Sequence, residues 1–485
     1  MLKAAPVSQR KSQLGQYFTP PEIAEFMANL FAQRVDTQCR LLDAGAGIGA
    51  LSAAFLERCV SRELHFSSVE IDAFEIDEQL HPSLAQAFEK YRHHPAVSTK
   101  IRSADFIHTA ADWISGSFFA EELPKYTHAI LNPPYRKIRS NSEHRAALRR
   151  AGIETVNLYA AFLALALALL DEHGQLAAII PRSFCNGPYY RNFRNFILER
   201  AAIRHMHLFK SRSKAFKDDD VLQENIIVLL ERGGQQGPIR VSNSTDSTFT
   251  DLSTHEHPFD RIVFTDDLER FIHVPTSPDR SLVELSPSIR HSLSDLRVDV
   301  STGPVVDFRV RAHLCHMPRA GTAPLLYPGH CRDGRTTWPL AGAKKPNAIQ
   351  YNEHTRKWLY PNGFYCLVRR FSSKEEKRRI VASVVDPAVF ADASLLGFEN
   401  HLNVFHENKR GLPEALAYGL TVFLNTTAVD EYFRRFNGHT QVNATDLKLL
   451  KYPHRDTLLE LGKWAMQQEE LPQPMIDEKV RNLDA

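Results

Sequence analysis

The chain has 485 residues, more than one ordinary hydrophobic core accommodates, so its length indicates two or more domains. Hydrophobic residues make up 43% and charged residues 24%, as in a globular protein, and the net charge of +2 excludes a chain that is basic over its whole surface. Six scattered cysteines indicate reduced thiols, and no apolar signal segment is visible near the N-terminus, so we expect a cytoplasmic protein. The longest apolar run, residues 158–170, is short for a membrane span and predicts a buried helix.

Helix-like and strand-like segments alternate through the first half of the chain. Apolar spacing predicts helices over residues 22–34, 51–59, 158–170 and 190–200. Short β-rich runs predict strands over residues 40–43, 66–71, 128–131, 175–180, 203–209 and 225–231, with another strand ending near residue 103. Such alternation predicts a mostly parallel sheet that helices cover on both faces.

The pattern changes near Gly233. Residues 233–295 are polar and show no clear period. Beyond them, short β-like pieces and prolines surround two predicted helices, over residues 373–385 and 414–425. We therefore expect a first domain over residues 1–239 and a second over residues 240–485.

A glycine-rich loop follows the first predicted strand, within residues 41–50. Its glycines, at positions 45, 47 and 49, permit a tight turn and a close ligand, and the next helix offers its N-terminal amides. Dehydrogenases use a similar loop, so this loop alone indicates only a nucleotide-like ligand. Asp43 and Ala44 precede Gly45, and Asp43 taken alone could equally be a helix cap.

Acidic residues further along the chain narrow the identity of the expected ligand. Glu70, placed at the end of the second predicted strand, can accept hydrogen bonds from both hydroxyls of a ribose, and Ile71 can pack on an adenine ring. After the third strand, Asp105 can accept from an adenine amino group and Phe106 can cover its face. Each residue alone is equally well explained as a surface acid or a core residue, so the ordered set carries the prediction.

The segment Asn132-Pro133-Pro134-Tyr135 is the most specific motif in the chain. An aromatic exocyclic amine is a poor nucleophile because its lone pair is delocalised into the ring. The side-chain oxygen of Asn132 and the carbonyl of Pro133 can each accept one amine hydrogen, which favours a tetrahedral nitrogen and stabilises its developing charge. Tyr135 offers a flat face to a base turned out of a duplex. An isolated motif of this kind can also be a simple proline turn.

Together these motifs resemble those of the γ class of N6-adenine DNA methyltransferases, in which an N-terminal cofactor segment, a glycine loop, Asn-Pro-Pro-Tyr and a specificity domain follow in that order. The resemblance covers about the first 230 residues. It implies S-adenosylmethionine as cofactor, a prokaryotic source, and a Rossmann-like class I methyltransferase sheet of seven mostly parallel strands with one antiparallel strand. It also implies that residues 1–239 are catalytic and that residues 240–485 form a mixed α/β target-recognition domain.

The resemblance extends to further site residues. Tyr17, Phe18, Thr19 and Pro20 match the N-terminal segment that contacts the methionine part of the cofactor in this family. Cofactor contacts are further implied for Asp43, Ala44, Gly45, Gly47, Glu70, Ile71, Asp105, Phe106 and Asn132. Phe216 is the best match to the aromatic residue that packs on the flipped base, and Phe209 is its rival.

The second half is similar to the target-recognition region of PstI-type modification methylases, especially around residues 299–303, 326–328 and 436–444. That similarity implies double-stranded DNA as partner, a short palindromic target such as CTGCAG, a cognate endonuclease that is not bound, and a monomer or weak dimer. Local basic and amide side chains predict the DNA contacts. The candidates are Arg136, Lys137, Arg139, Arg182, Tyr189, Lys214, Lys217, His439, Gln441 and Asn443.

Other interpretations remain open at this stage. A protein-glutamine N5-methyltransferase or an RNA adenine methyltransferase can use the same Asn-Pro-Pro-Tyr chemistry, a nucleotide-dependent oxidoreductase can share the sheet, and a DNA-binding module can have lost catalysis. The amides near residue 440 can be loop caps instead of base contacts. The histidines and cysteines at 313–331 fit no strong zinc template, so we expect no metal.

Overall fold

The computed structural model describes residues 18–35, 37–116, 125–210, 224–265, 267–278, 282–372, 376–436 and 441–484. The chain divides into two compact units, Met1–Pro278 and Asp279–Ala485. In the part of the chain that is described, no helix combines the length and the apolar character that crossing a membrane requires.

The first unit is built on a nine-stranded sheet with the order β3-β2-β1-β4-β5-β7-β6-β8-β9. Strands β7 and β9 run antiparallel to the others, because β7 pairs antiparallel with both β5 and β6, and β9 pairs antiparallel with β8. The strands are β1 (Gln38–Ala44), β2 (Ser68–Phe74), β3 (Val97–Arg102), β4 (Tyr126–Leu131), β5 (Leu170–Pro181), β6 (Ala201–Phe209), β7 (Asn225–Arg232), β8 (Ile239–Ser244) and β9 (Ser253–His257).

The first seven strands confirm the predicted class I methyltransferase sheet, whereas β8 and β9 extend it beyond the seven strands expected. Strand β8 pairs in parallel with β6, from His205 opposite Arg240 to Phe209 opposite Ser244. The expected domain boundary at residue 240 therefore falls inside this sheet. Strand β9 was not predicted because its residues are mostly polar. It is an edge strand of the sheet, and several of its side chains face solvent.

Helices cover both faces of this sheet. One apolar cluster joins Leu131, Leu176 and Val228 of the sheet to α4, α6 and α7, and a second joins Ile130 and Ile179 to α1 and α2. The apolar run that the sequence assigned to a buried helix is α6, which lies almost wholly inside the first cluster. The helices are α1 (Pro21–Asn29), α2 (Ala50–Val60), α3 (His81–Glu89), α4 (Phe106–Ser115), α5 (Glu143–Arg150), α6 (Leu158–Leu169), α7 (Arg191–Arg200) and α8 (Phe259–Ile262).

The second unit contains smaller sheets with the orders β10-β22, β11-β21-β18-β19-β15-β14 and β12-β16-β13-β20-β17. Its strands are β10 (Ile289–His291), β11 (Asp299–Thr302), β12 (Leu314–Cys315), β13 (Thr322–Leu326), β14 (Cys331–Arg332), β15 (Arg335–Thr336), β16 (Ala348–Gln350), β17 (Leu359–Pro361), β18 (Tyr365–Arg369), β19 (Ala382–Val385), β20 (Leu395–Phe398), β21 (Leu402–His406) and β22 (Tyr452–Pro453). The mixture of strands with helices agrees with the mixed α/β unit that the resemblance implied.

Helices of the second unit follow mainly after the sheets. They are α9 (Leu282–Leu285), α10 (Glu414–Leu424), α11 (Thr427–Phe436), α12 (Ala444–Leu449), α13 (Arg455–Met466) and α14 (Gln473–Arg481). Helices α10 and α13 pack backbone to backbone, because a β-carbon on Gly419 would lie only 1.9 Å from the carbonyl oxygen of Leu458.

The two helices predicted in this unit have different outcomes. The helix predicted over residues 414–425 is confirmed as α10. The helix predicted over residues 373–385 is wrong for its final residues, which form the buried strand β19 beside β18. The lysines and glutamates at 374–377 favoured a helix, but the β-branched Val384 and Val385 are better accommodated in a strand.

Candidate active site

The glycine loop lies at the carboxyl ends of the parallel strands. Gly45 and Gly47 adopt left-handed φ angles of 80° and 58°, which glycine reaches without strain. The amides of Gly45 and Ala46 both donate to the carbonyl of Phe74, at 2.9 and 2.8 Å, so the loop is tied to the end of β2. A β-carbon built on Gly47 would lie 3.8 Å from the ring of Phe18, so the N-terminal segment covers the loop.

Glu70 does not lie at a strand end, and this part of the sequence prediction is wrong. Strand β2 continues to Phe74, so Glu70 is in its middle, with a side chain that is 61% exposed and an ion pair to Arg40 at 3.5 Å. The acidic residue directly after the strand is Glu75, which is only 5% exposed. Its carboxylate accepts from the amides of Gly47 and Asp77, each at 2.8 Å, and burial raises its pKa.

Ile71 is likewise misplaced by the sequence prediction, since it is 2% exposed and packs in the core. The residue that follows Glu75 is Ile76, whose large apolar side chain is 56% exposed. The signal that sequence reasoning missed is the duplicated Glu-Ile-Asp, at 70–72 and again at 75–77. The two copies have the same residues, and only the position at which β2 ends, Phe74, shows which copy follows the strand.

Asp43 is fully buried at the end of β1. One of its oxygens accepts from the hydroxyl of Ser52 at 2.6 Å, and the other, Oδ1, has no hydrogen-bond partner among the described residues. Burial raises the pKa of Asp43 to about 7, against the lowering effect of the Ser52 hydrogen bond. Asp43 is therefore a buried acceptor beneath the glycine loop, and its alternative as the cap of α2 is wrong, because Gly49 holds that position. Ala44, beside it, is buried in the core.

Asp105 follows β3 and caps α4 by accepting from the amide of His108 at 3.1 Å. Its second oxygen accepts from His144 Nε2 at 2.7 Å. Burial alone would raise the pKa of Asp105, but these two hydrogen bonds hold it below its ordinary value. Phe106 is 3% exposed and packs against Phe74 in the core, so its ring lies inside the fold and does not present a free face.

The Asn-Pro-Pro-Tyr turn follows β4 directly. Asn132 Nδ2 donates to Thr19 Oγ1 at 3.0 Å, so the N-terminal segment and the Asn-Pro-Pro-Tyr turn, separate in sequence, meet here. Asn132 Oδ1 accepts from the hydroxyl of Tyr135 at 3.0 Å, and the same hydroxyl lies 3.1 Å from the carbonyl of Ile179 on β5. Pro133 is buried and Pro134 is half-buried. The turn is thus held on both sides, with the acceptor oxygen of Asn132 turned toward Tyr135.

Three tyrosine rings, Tyr135, Tyr159 and Tyr190, pack together behind the turn. The rings of Tyr135 and Tyr159 meet edge to face with centroids 6.3 Å apart, and Tyr159 stacks on Tyr190 at 5.8 Å. The amide of Ile138 donates to Val156 and thereby joins the segment after the turn to the start of α6. This packing fixes the ring of Tyr135 at the edge of the sheet.

The predicted DNA contacts of the first unit separate into two groups. Arg136, Lys137 and Arg139 are exposed directly after the turn, and Tyr189 is 79% exposed. Arg182 is 3% exposed and paired with the buried Glu224 at 2.9 Å, so its prediction as a phosphate contact is wrong for this conformation. A buried ion pair of this kind fixes the start of β7 against the end of β5.

Several predicted residues lie outside the described residues: Tyr17, Lys214, Phe216, Lys217 and His439. In the second unit, Gln441 is half-buried and accepts from Arg370 at 3.2 Å. Asn443 is the N-cap residue of α12, and its backbone amide donates to the carboxylate of Asp446 at 2.9 Å, which supports the loop-cap alternative. Its contact with a base stays a prediction.

Among the described residues, Asp105, His108 and His144 bring possible metal-ligand atoms within 4.8 Å of one another. Both carboxylate oxygens of Asp105 already accept hydrogen bonds, from His144 and from the His108 amide. These bonds link Asp105 to the two helices that carry His108 and His144. His330, one of the residues weighed for zinc, is buried and bonded to Asn347 at 2.9 Å.

Similarity to known proteins extends over the whole chain. The chain is 50% identical over 485 residues to the type II methyltransferase M.BsuBI of Bacillus subtilis, which covers 99% of this chain and 96% of that protein. It is 42% identical over 477 residues to the type II methyltransferase M.PstI of Providencia stuartii, covering 97% and 92% respectively. The family model described as Eco57I restriction-modification methylase matches residues 65–216.

The fold is also similar to that of a solved structure, the type IIL restriction-modification enzyme MmeI in complex with DNA. The match has a TM-score of 0.53 at 11% identity and covers 92% of this chain and 69% of that chain. At this identity the similarity concerns the fold alone.

Proposed function

Because this chain belongs to the type II methyltransferases of restriction-modification systems, we propose that it transfers a methyl group from S-adenosylmethionine to N6 of an adenine at a specific DNA sequence. The observation that carries the proposal is the hydrogen bond between Asn132 and Thr19. It brings the Asn-Pro-Pro-Tyr turn to the segment that covers the glycine loop, so amine and methyl donor have adjacent places.

The residues at this edge fit S-adenosylmethionine. Glu75 is a buried carboxylate at the strand end where ribose hydroxyls can donate, and the exposed Ile76 offers an apolar surface to the adenine ring. Asp105 offers an acceptor to the 6-amino group, and the fully buried Asp43 supports the glycine loop from beneath. These assignments replace Glu70 and Ile71. When bound, the cofactor supplies a methyl group already activated by a sulfonium sulfur.

Asn132 and Pro133 act on the target amine. Asn132 Oδ1 and the Pro133 carbonyl accept its two hydrogens, which withdraws the nitrogen lone pair from the ring and stabilises the positive charge that develops on it. Asn132 Oδ1 accepts from Tyr135 in this structure, and because an amide oxygen has two lone pairs it can also accept from the incoming amine. The Tyr135 hydroxyl therefore need not move away. It can keep its bond to the carbonyl of Ile179 while its ring supports the base.

Double-stranded DNA is the proposed partner, with the target adenine turned out of the helix. Arg136, Lys137 and Arg139 are exposed beside the catalytic turn, where phosphates flanking a flipped base would lie. Support for DNA also comes from the fold shared with MmeI, which was solved in complex with DNA. Tyr189 is a further candidate contact.

We assign catalysis to the first compact unit and target recognition to the second. The expectation that catalysis ends at residue 239 is adjusted to Pro278, since β8 and β9 belong to the catalytic sheet. We further propose that the chain protects host DNA from a cognate endonuclease in a prokaryotic cytoplasm, which the similarity to type II methyltransferases supports. Full-length similarity to type II methyltransferases counts against protein-glutamine or RNA as the substrate.

Methyl transfer to DNA from labelled S-adenosylmethionine tests the proposal. Asn132→Ala is expected to lower the transfer rate by about 10²- to 10³-fold, because an acceptor used in the transition state is lost. Its affinity for S-adenosylhomocysteine is expected to persist. Asn141→Ala, an exposed asparagine after the same turn, is the matched control and should keep full activity. Equal activity of Asn132→Ala and the control would remove Asn132 from the mechanism.

A further inference from the structure

Asp105 is held by two different helices. The amide of His108, in the first turn of α4, donates to Oδ1 at 3.1 Å, and His144 Nε2 at the start of α5 donates to Oδ2 at 2.7 Å. The first bond is an ordinary helix cap that many sequences supply. The second comes from a residue far along the chain, so it needs a separate explanation.

Helix α5 is a firm base for His144. Ala147 and Leu148 are fully buried on its inner side, and Ser142 caps its first turn by accepting from the amide of Arg145. An ion pair between Arg150 and Asp112 at 3.0 Å joins the far end of α5 to α4. Helix α5 therefore holds the imidazole of His144 in one position relative to Asp105.

Helix α5 is also the first helix after the Asn-Pro-Pro-Tyr turn. The His144–Asp105 bond thus connects the segment that carries the catalytic turn to the carboxylate proposed for the cofactor's adenine. Both side chains remain partly accessible, with 33% of His144 and 26% of Asp105 exposed. A carboxylate with two accepted bonds still has lone pairs for another donor.

We propose that His144 is a positioning residue that holds Asp105 in the orientation in which Oδ2 accepts a hydrogen bond from the 6-amino group of the cofactor's adenine. The inference rests on the proposed function, because it requires Asp105 to face that amino group. Without the imidazole, the carboxyl group remains a cap for α4 but is free to rotate about its own axis. Affinity is then lost only for ligands that carry the amino group.

The hydrogen bond has the character of an ion pair. It raises the pKa of His144 and, with the His108 amide, keeps Asp105 ionised. Charge-assisted bonds are shorter and stronger than neutral ones, in keeping with the 2.7 Å separation. The ring of His108 also lies near, with its centroid 5.0 Å from that of His144. Among the bonds of the described residues, His108 reaches the carboxylate through its backbone amide, so its side chain is a weaker candidate.

Calorimetric binding of two ligands to the full chain tests the inference. One is S-adenosylhomocysteine, and the other is its analogue in which hydrogen replaces the 6-amino group. For His144→Phe, which keeps a ring and removes the donor, we expect about five- to tenfold weaker binding of S-adenosylhomocysteine and an unchanged affinity for the analogue. His144→Gln, which retains a donor, should restore most of the loss. Glu143→Gln, on the same turn and exposed, is the matched control.

The outcomes separate the inference from the function beneath it. If His144→Phe weakens both ligands equally, or neither, the positioning role is overturned. Asp105→Asn tests the premise, since asparagine still caps a helix but offers no acceptor at the second position. If Asp105→Asn does not reduce the preference for the amino group, the assignment of Asp105 fails. If it does and His144→Phe does not, only the inference fails.

Discussion

Two copies of Glu-Ile-Asp stand five residues apart in the same strand region, with opposite environments. In the mid-strand tripeptide, residues 70–72, Glu70 is exposed, Ile71 is buried in the core, and Asp72 is paired with Arg102 at 3.0 Å. In the edge tripeptide, residues 75–77, the glutamate is buried and the isoleucine is exposed. The same three residues therefore stabilise the sheet in one place and form the proposed cofactor surface in the other.

The difference arises from where β2 ends. Within the strand, alternate side chains point to opposite faces, which places Ile71 inward and Glu70 outward. After Phe74 the strand ends, and the Phe74 carbonyl accepts hydrogen bonds from amides of the glycine loop. The side chain of Glu75 then points inward, where its carboxylate accepts from the amide of Gly47. Residue type alone does not determine a role at such an edge, because the backbone's exit from the strand decides which side chain meets the ligand.

The largest expected contrast is in stability at the two isoleucines. Ile71→Ala removes buried methyl groups from the core and should lower the free energy of unfolding by about 2–5 kcal/mol. Ile76→Ala, at an exposed position, should change it by less than about 0.5 kcal/mol. Urea denaturation followed by circular dichroism measures both. Similar losses at the two positions would mean that the edge tripeptide is also structural.

Ligand binding should reverse that order at the two glutamates. Glu75→Gln replaces a carboxylate that holds the glycine loop and is proposed to hold the ribose, and it should weaken S-adenosylhomocysteine binding by about 10- to 100-fold. Glu70→Gln is the matched control and should bind as the unaltered chain does. Equilibrium dialysis gives both constants. A loss at Glu70 instead would restore the interpretation based on sequence alone.

Asp43 extends the contrast to the pH dependence of stability. Burial raises the pKa of Asp43 from 3.8 to about 7 in the folded chain. The folded state therefore favours the protonated carboxyl group, whereas the unfolded chain favours the ionised one. The contribution of Asp43 to the free energy of unfolding is fully present below pH 4 and is lost as the pH rises toward 7. Its slope is at most about 1.4 kcal/mol per pH unit.

Asp43→Asn should remove this part of the pH dependence. The stability of the unaltered chain relative to the variant should then fall between pH 4 and pH 7 and stay level above it. Thermal unfolding at a series of pH values measures the difference. A difference that grew with pH would mean that Asp43 is ionised and stabilised in the folded protein.

The smallest effect is expected from the ion pair of Glu70 with Arg40. The side chains are 61% and 43% exposed and 3.5 Å apart, so solvent and salt screen them strongly. Glu70→Gln should change the free energy of unfolding by less than about 0.5 kcal/mol. A larger loss in denaturant titrations, removed by 1 M salt, would show that this surface pair matters after all.

Sequence reasoning located the sheet and its motifs but could not fix every register. The glycine loop and the Asn-Pro-Pro-Tyr turn were found because each demands particular residue types at fixed spacing. Glu75 was missed because the second strand was predicted to end at residue 71, whereas it continues to Phe74. Asp72, within the strand, is paired with Arg102 and accepts from the hydroxyl of Tyr126 at 2.7 Å. Arg182 was assigned to DNA because sequence shows charge and not the buried Glu224 that neutralises it.

The second unit was predicted less well for a related physical reason. Its strands are short and pair with distant segments, as Leu325 does with Gly397, so local periodicity carries little information. Asn443 was one of several amides predicted as base contacts or loop caps, and sequence alone does not reveal its position at the start of α12 beside Asp446. Long apolar helices such as α10 were found because burial on nearly every side leaves a continuous signal.

In the proposed function, this chain methylates adenine at one DNA sequence and Asn132 is required for the transfer. Methylation-sensitive sequencing of single DNA molecules, taken from a methylation-free host that expresses the chain, tests it most directly, beside a host expressing Asn132→Ala. We expect N6-methyladenine at one short motif with the unaltered chain and none with the variant. Absence of modified adenine from both hosts, while the purified chain still binds S-adenosylhomocysteine, would contradict DNA adenine as the substrate.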